Sequence, residues 1–84
     1  MYQRKSNKVR TLETTSQVGD FFRLRREGLG LTQKEVAAKI GVSRKWYVEM
    51  EQGKPTVKLY KVLDVFWALE LELEARAKET KGKE

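Results

Sequence analysis

The sequence predicts a mainly α-helical bundle of four to five short helices, followed by a short C-terminal β-strand that pairs across a dimer. Three observations predict it. Residues 31–53 hold two short helical patterns joined by a tight Gly41-Val42-Ser43 turn. Amphipathic stripes flank them: Val18, Phe22, Arg26 and Leu29 before, and Leu59, Val62, Leu63 and Phe66 after. The period then switches. Leu69-Glu70-Leu71-Glu72-Leu73-Glu74-Ala75 alternates apolar with acidic, which is the period of a half-buried strand.

Residues 1–15 carry no apolar periodicity and read as a basic N-terminal arm. The helical domain spans residues 16–68. Ser16 is expected to cap the first helix, and Gly28 and Gly30 to end it. Thr32-Gln33-Lys34-Glu35 fits a capping box at the start of the second helix. That helix turns Val36, Ala37 and Ile40 inward. Gly41 suits the left-handed position that ends a helix, and Ser43 suits the N-cap of the next. The third helix turns Tyr47 and Met50 inward and presents Arg44, Lys45 and Glu49 outward. Gly53 closes it, Pro55 cannot continue it, and Thr56 is expected to cap a fourth helix ending near Ala68 or Leu69. Val65 and Trp67 fall off that helix's main stripe. Residues 69–75 are a dimerisation strand by period. Leu, Glu and Ala are better helix formers than strand formers, so a helix extension is the alternative. Residues 76–84 are a charged tail.

A helix, a sharp glycine turn and a second helix with a polar, basic outer face form a helix-turn-helix. The second helix of such a unit enters the DNA major groove. The charge agrees. The 84 residues carry a net charge of +6, which suits a polyanionic partner. Arg4, Lys5, Lys8 and Arg10 stand against Glu13 in the arm, and residues 16–54 are again net basic. Residues 70–75 hold three glutamates and no cation.

Other classes are disfavoured. The chain has no cysteine and no histidine. That removes disulfides, thiol nucleophiles, imidazole bases and the usual zinc ligands. No metal, no cofactor and no catalytic residue is expected, and the protein is not read as an enzyme. No run of 18 apolar residues spans a membrane, and no apolar stretch follows the basic N-terminus as a signal peptide would require. The expected location is cytoplasmic.

The sequence resembles the Xre/Cro family of bacterial and phage regulators through Arg25-Arg26, Leu29-Gly30-Leu31-Thr32-Gln33, Glu35-Val36-Ala37, Ile40-Gly41-Val42-Ser43 and Glu51-Gln52-Gly53-Lys54. The resemblance implies a lambda-repressor-like bundle. Its continuation through Gly53-Lys54-Pro55-Thr56-Val57, Val62-Leu63 and Ala68-Leu69 into the Leu/Glu alternation is similar to the HipB-type antitoxins. That resemblance implies a homodimer formed through a C-terminal strand, repression of its own operon and binding to a HipA-type kinase toxin. Many relatives carry Gly at the position of Glu70, and Trp46-Tyr47 is bulkier than the usual pair. A stand-alone Xre regulator without a toxin is the alternative. A protein-interaction adaptor is disfavoured by Arg44 and Lys45, since an adaptor has no need of cations at base-reading positions.

Candidate contacts follow. Arg44 and Lys45, at the start of the recognition helix, suit the O6/N7 pair of guanine, and Glu49 suits cytosine N4 or a pairing with Lys45. Thr32, Gln33, Ser43, Trp46 and Lys54 are the candidate phosphate contacts; a Gln at position 33 does this in the family. Arg26 follows Phe22 by four and Glu51 follows Tyr47 by four, so both charges point inward. Each alone is costly to bury, and a buried structural ion pair is expected. Phe66, Trp67, Leu69, Leu71 and Leu73 are the candidate dimer interface. A two-fold dimer implies a near-palindromic double-stranded DNA operator.

Overall fold

The computed structural model describes residues 9–79. Most of the basic arm and the last five residues of the tail lie outside them, so expectations for Arg4, Lys5 and Lys8 fall outside the described residues. Four helices follow one another: α1 (Thr15–Gly28), α2 (Gln33–Ile40), α3 (Arg44–Glu51) and α4 (Leu59–Ala68).

The caps at α2 and α3 form as the residues dictate. The Thr32 hydroxyl accepts from the Glu35 N–H at 3.0 Å, and Glu35 accepts from the Thr32 N–H at 2.7 Å. Gly41 closes α2 with φ 74°, a left-handed conformation that glycine adopts without steric cost. Ser43 then accepts from the Trp46 N–H at 2.9 Å. Two other caps differ from expectation. Thr14, not Ser16, caps α1, and Gln17 returns the bond to Thr14. Ser16 has Gly19 three residues on and no side chain to complete a box; Thr14 has Gln17. Lys58, not Thr56, is the N-cap of α4, because Thr56 is spent in the turn after Pro55.

The core is built from Phe22, Val36, Ala37, Tyr47, Met50, Val65, Phe66, Ala68 and Leu69. Phe22 and Phe66 meet edge to face with centroids 4.9 Å apart, a favoured aromatic geometry. The inward face of α4 is rotated from the sequence expectation. Val65 and Leu69 are fully buried, whereas Leu59 is 69% and Leu63 43% exposed. The inward stripe is Val62, Val65, Phe66 and Leu69, and its last member lies in the segment whose alternation reads as a strand.

Phe66 and Leu69 therefore belong to the chain's own core rather than to a dimer interface. Trp67 is 66% and Leu73 57% exposed, and Leu71 is half-buried against the core. α4 ends in a Schellman motif. The Leu71 N–H donates to Phe66 O at 2.8 Å and the Glu70 N–H to Trp67 O at 3.1 Å. Glu70 takes the left-handed position with φ 57°, where glycine is usual. Side chains secure this end: Arg25 Nε donates to Leu69 O at 2.9 Å, Arg25 Nη2 to Glu70 O at 3.4 Å, and Lys39 Nζ to Ala68 O at 3.3 Å. The helix extension is thereby excluded, since residues 71–79 are not helical. No β-strand occurs among the described residues of this single chain.

Candidate nucleic-acid interface

The recognition unit is locked to α1 at two points. At Gly19 the helices touch backbone to backbone. A Cβ there would strike the Glu51 carbonyl oxygen and lie 2.7 Å from its carbonyl carbon. Two turns along, Arg26 grips Glu51 bidentately, Nε to Oε2 at 2.7 Å and Nη2 to Oε1 at 3.1 Å. Arg26 Nη1 also donates to Leu31 O at 3.0 Å, and Gln33 Nε2 donates to Glu51 Oε1 at 3.1 Å. One carboxylate thus ties α1, α2 and α3 together.

Burial alone pushes the Glu51 carboxyl up, but hydrogen bonding from Arg26 and Gln33 outweighs it and holds the group below the usual carboxylate range. Donating to the Glu51 carboxylate likewise raises Arg26 above its ordinary value. The Tyr47 hydroxyl is buried in the same place without a well-formed hydrogen bond. Burial and the adjacent Glu51 carboxylate push its phenol far above its ordinary value, so it stays protonated.

The outer surface presents the cations. Arg44 and Lys45 are exposed in the first turn of α3, and Trp46 is half-buried beside them. Glu49, one turn on, bridges two lysines: Lys45 at 3.7 Å and Lys54 at 3.1 Å. The Lys54 ammonium, aided by Lys45, holds the Glu49 carboxyl below its ordinary value. Thr32 and Ser43 sit at the two helix starts, where free amides and the helix dipole attract anions. Their hydroxyls accept cap bonds and keep an O–H to donate. Gln33 is half-buried, with one amide hydrogen committed to Glu51 and a second left over. The structure therefore gathers Lys45, Glu49 and Lys54 in one cluster and Gln33, Arg26 and Glu51 in another.

Further cations flank this surface. An open cleft of about 330 Å³ between α3 and the α3–α4 connection is lined by Trp46, Lys54, Thr56, Val57, Lys58, Tyr60 and Lys61. Lys58 and Lys61 were not among the expected contacts. Their signal was present: residues 54–61 hold three lysines and no acid.

Comparison with known proteins agrees with this geometry. Residues 17–78 match the helix-turn-helix domain family. The chain belongs to that family. A helix-turn-helix relative from Sinorhizobium fredii (strain NBRC 101917 / NGR234), named as the uncharacterized HTH-type transcriptional regulator y4mF, is 34% identical over 61 residues, covering 73% of this chain and 80% of the relative. Among solved structures, a chain of the HipA-HipB-O2-O3 complex superposes with a TM-score of 0.77 at 22% identity, covering 84% of this chain and 100% of that one. A chain of the HipB-O4 20mer complex gives 0.76 at 22% identity, with the same coverage. The fold is that of an Xre-type, HipB-like helix-turn-helix bundle.

One apolar surface extends from the cleft along α4. Leu59, Tyr60, Leu63 and Trp67 line the outer side of α4 and are all exposed. Lys39 Nζ sits 5.7 Å from the Trp67 ring centroid. Among the described residues, no helix is long and apolar enough to cross a membrane.

Proposed function

We propose that this helix-turn-helix regulator is a sequence-specific DNA-binding repressor, acting as a homodimer on a near-palindromic operator. The observation that carries the reading is α3 itself. Its inner side is fixed to α1 and α2 through Glu51, while its first turn offers Arg44 and Lys45 to solvent. Arg44, Lys45 and Glu49 face the base edges. Thr32, Gln33, Ser43, Trp46 and Lys54 face phosphates, joined by Lys58 and Lys61. Dimerisation uses the outer face of α4, including Trp67, together with Leu71 and Leu73. A short strand that pairs with a second copy begins no earlier than Leu71, because Phe66 and Leu69 are already buried. The HipB-like fold supports a role as the antitoxin of a HipA-type kinase and autorepressor of its operon, in the cytoplasm. A stand-alone regulator is the alternative. A kinase-like reading frame beside the gene separates the two.

The test is a gel shift against the protein's own upstream region and against random duplex, over a salt series. Affinity for both should fall by orders of magnitude between roughly 50 and 200 mM salt. Arg44→Ala should cost about 1–3 kcal/mol on the operator and little on random duplex. Equal weakening on both would reduce Arg44 to a phosphate contact, and a flat salt response would remove the DNA reading.

A further inference from the structure

One acid stands on the outer face of α3 among cations that the DNA reading needs. Glu49 Oε1 lies 3.1 Å from Lys54 Nζ, and Oε2 lies 3.7 Å from Lys45 Nζ. The other acid of α3, Glu51, is buried and committed to Arg26. The Lys54 backbone N–H also donates to the Glu49 carbonyl at 3.1 Å, so the chain reversal after α3 returns Lys54 to this spot. The fold gains little from the arrangement. Lys45 is 83% and Lys54 49% exposed in their side chains, and ion pairs this open to solvent are screened and add little to stability. An acid that adds little to stability and opposes a polyanion calls for another role.

We propose that Glu49 is a specificity-determining residue that acts as an internal competitor for phosphate; the inference rests on α3 being the DNA-reading helix. In the free protein its carboxylate occupies Lys45 and Lys54 as a phosphate would. Docking on any duplex makes Lys54 exchange Glu49 for a phosphate oxygen, while Lys45 leaves Glu49 for the groove. The carboxylate is then left against a polyanion. In the major groove it finds a partner only where a base offers an amino group, cytosine N4 being the favoured one; guanine O6/N7 and thymine O4 are acceptors and repel it. Duplexes without that amino group at the right step keep the full penalty. Glu49 thus weakens binding to random DNA more than to the operator, and widens the ratio between them.

The experiment compares the parent protein with Glu49→Gln on the operator-containing upstream duplex and on a random duplex, over a salt series. A thermal melt of each checks that the fold is kept. The variant should bind random duplex roughly 3–10-fold tighter at low salt, because a surface carboxylate beside the phosphates is lost. Its log–log salt slope on random duplex should steepen by up to about 1, since no carboxylate is left beside the phosphates to retain a cation. The operator-to-random ratio should fall. If the parent binds its operator and Glu49→Gln gains nothing on random duplex, the inference is overturned and the DNA reading stands. If the parent binds neither duplex at low salt, the DNA reading fails and the inference fails with it.

Discussion

Replacing Gly19 by alanine should destabilise this protein, against the usual rule for helices. Alanine in a helix interior is ordinarily favoured over glycine by up to about 1 kcal/mol. Position 19 lies inside α1 and would follow that rule were it exposed. The added Cβ instead meets backbone atoms of α3: the Glu51 carbonyl group and Met50 O, the latter at 2.9 Å. Backbone cannot swing aside as a side chain can. α1 and α3 must part by roughly 1 Å, which forfeits a sizeable share of the dispersion across their contact. Overpacking of this kind costs about 1–3 kcal/mol. For a domain of this size that lowers Tm by roughly 4–20 °C. The assay is thermal unfolding followed by circular dichroism, with Gly28→Ala as the control. Gly28 lies in the same helix with no neighbouring atom within 4 Å of a built Cβ. As the last residue of α1 it should show a smaller gain, about 0–1 kcal/mol, and no loss. A Gly19→Ala protein that melts at or above the parent would refute the argument for backbone contact.

Glu51→Ala strands the Arg26 guanidinium and should cost about 3–5 kcal/mol near neutrality. Because the Glu51 carboxyl is lowered in the folded state, this contribution is full above its ordinary unfolded value, about 4.3, and disappears as pH falls through the lower folded value. Denaturant titrations at several pH values should show the parent's advantage shrinking on the acid side, and an advantage that grows there would reverse the sign. Tyr47→Phe removes a buried hydroxyl that lacks a partner and should leave stability within about 1 kcal/mol of the parent, or above it; a larger loss in the same titration would show a hydrogen bond to Glu51. Glu70→Gly relieves a left-handed glutamate and should raise stability by about 0.5–1 kcal/mol, read as a higher Tm. A lower Tm would mean that the Glu70 side chain contributes more than its backbone strain costs.

The elements with complete local signals were legible in the chain. Thr32 with Glu35, Gly41 and Ser43 each hold their partners within four residues, so α2, the turn and α3 could be read directly. Arg26 and Glu51 were legible through their spacing from Phe22 and Tyr47, since two inward charges require each other. The Gly19 contact was not, because a helical glycine looks the same in sequence whether or not a second backbone lies against it. The rotation of α4 was hidden for a related reason. The helix is apolar on both sides, and only tertiary packing chooses between Leu59 with Leu63 and Val65 with Leu69. The clasp on the end of α4 joins Arg25 and Lys39 to carbonyls 29–45 residues away, which no local pattern announces. Of the candidate interface, the α3 cations were plain, whereas Lys58 and Lys61 were overlooked because they precede or belong to a helix read for its apolar stripe.

That clasp has a mechanical consequence. Where α4 ends, Arg25 reaches in from α1 and Lys39 from α2, so the chain leaves the domain along a heading set by both. The exit point is keyed to the same helices that hold α3. The start of the segment that follows, at Leu71, is therefore held on the domain as on a bracket. A small change of heading at Glu70 swings the attached body through an arc relative to the reading head. In the dimer proposed above, where this segment and the outer face of α4 both meet the second copy, changing position 70 should alter the spacing of the two heads while leaving the proposed DNA-contact residues unchanged.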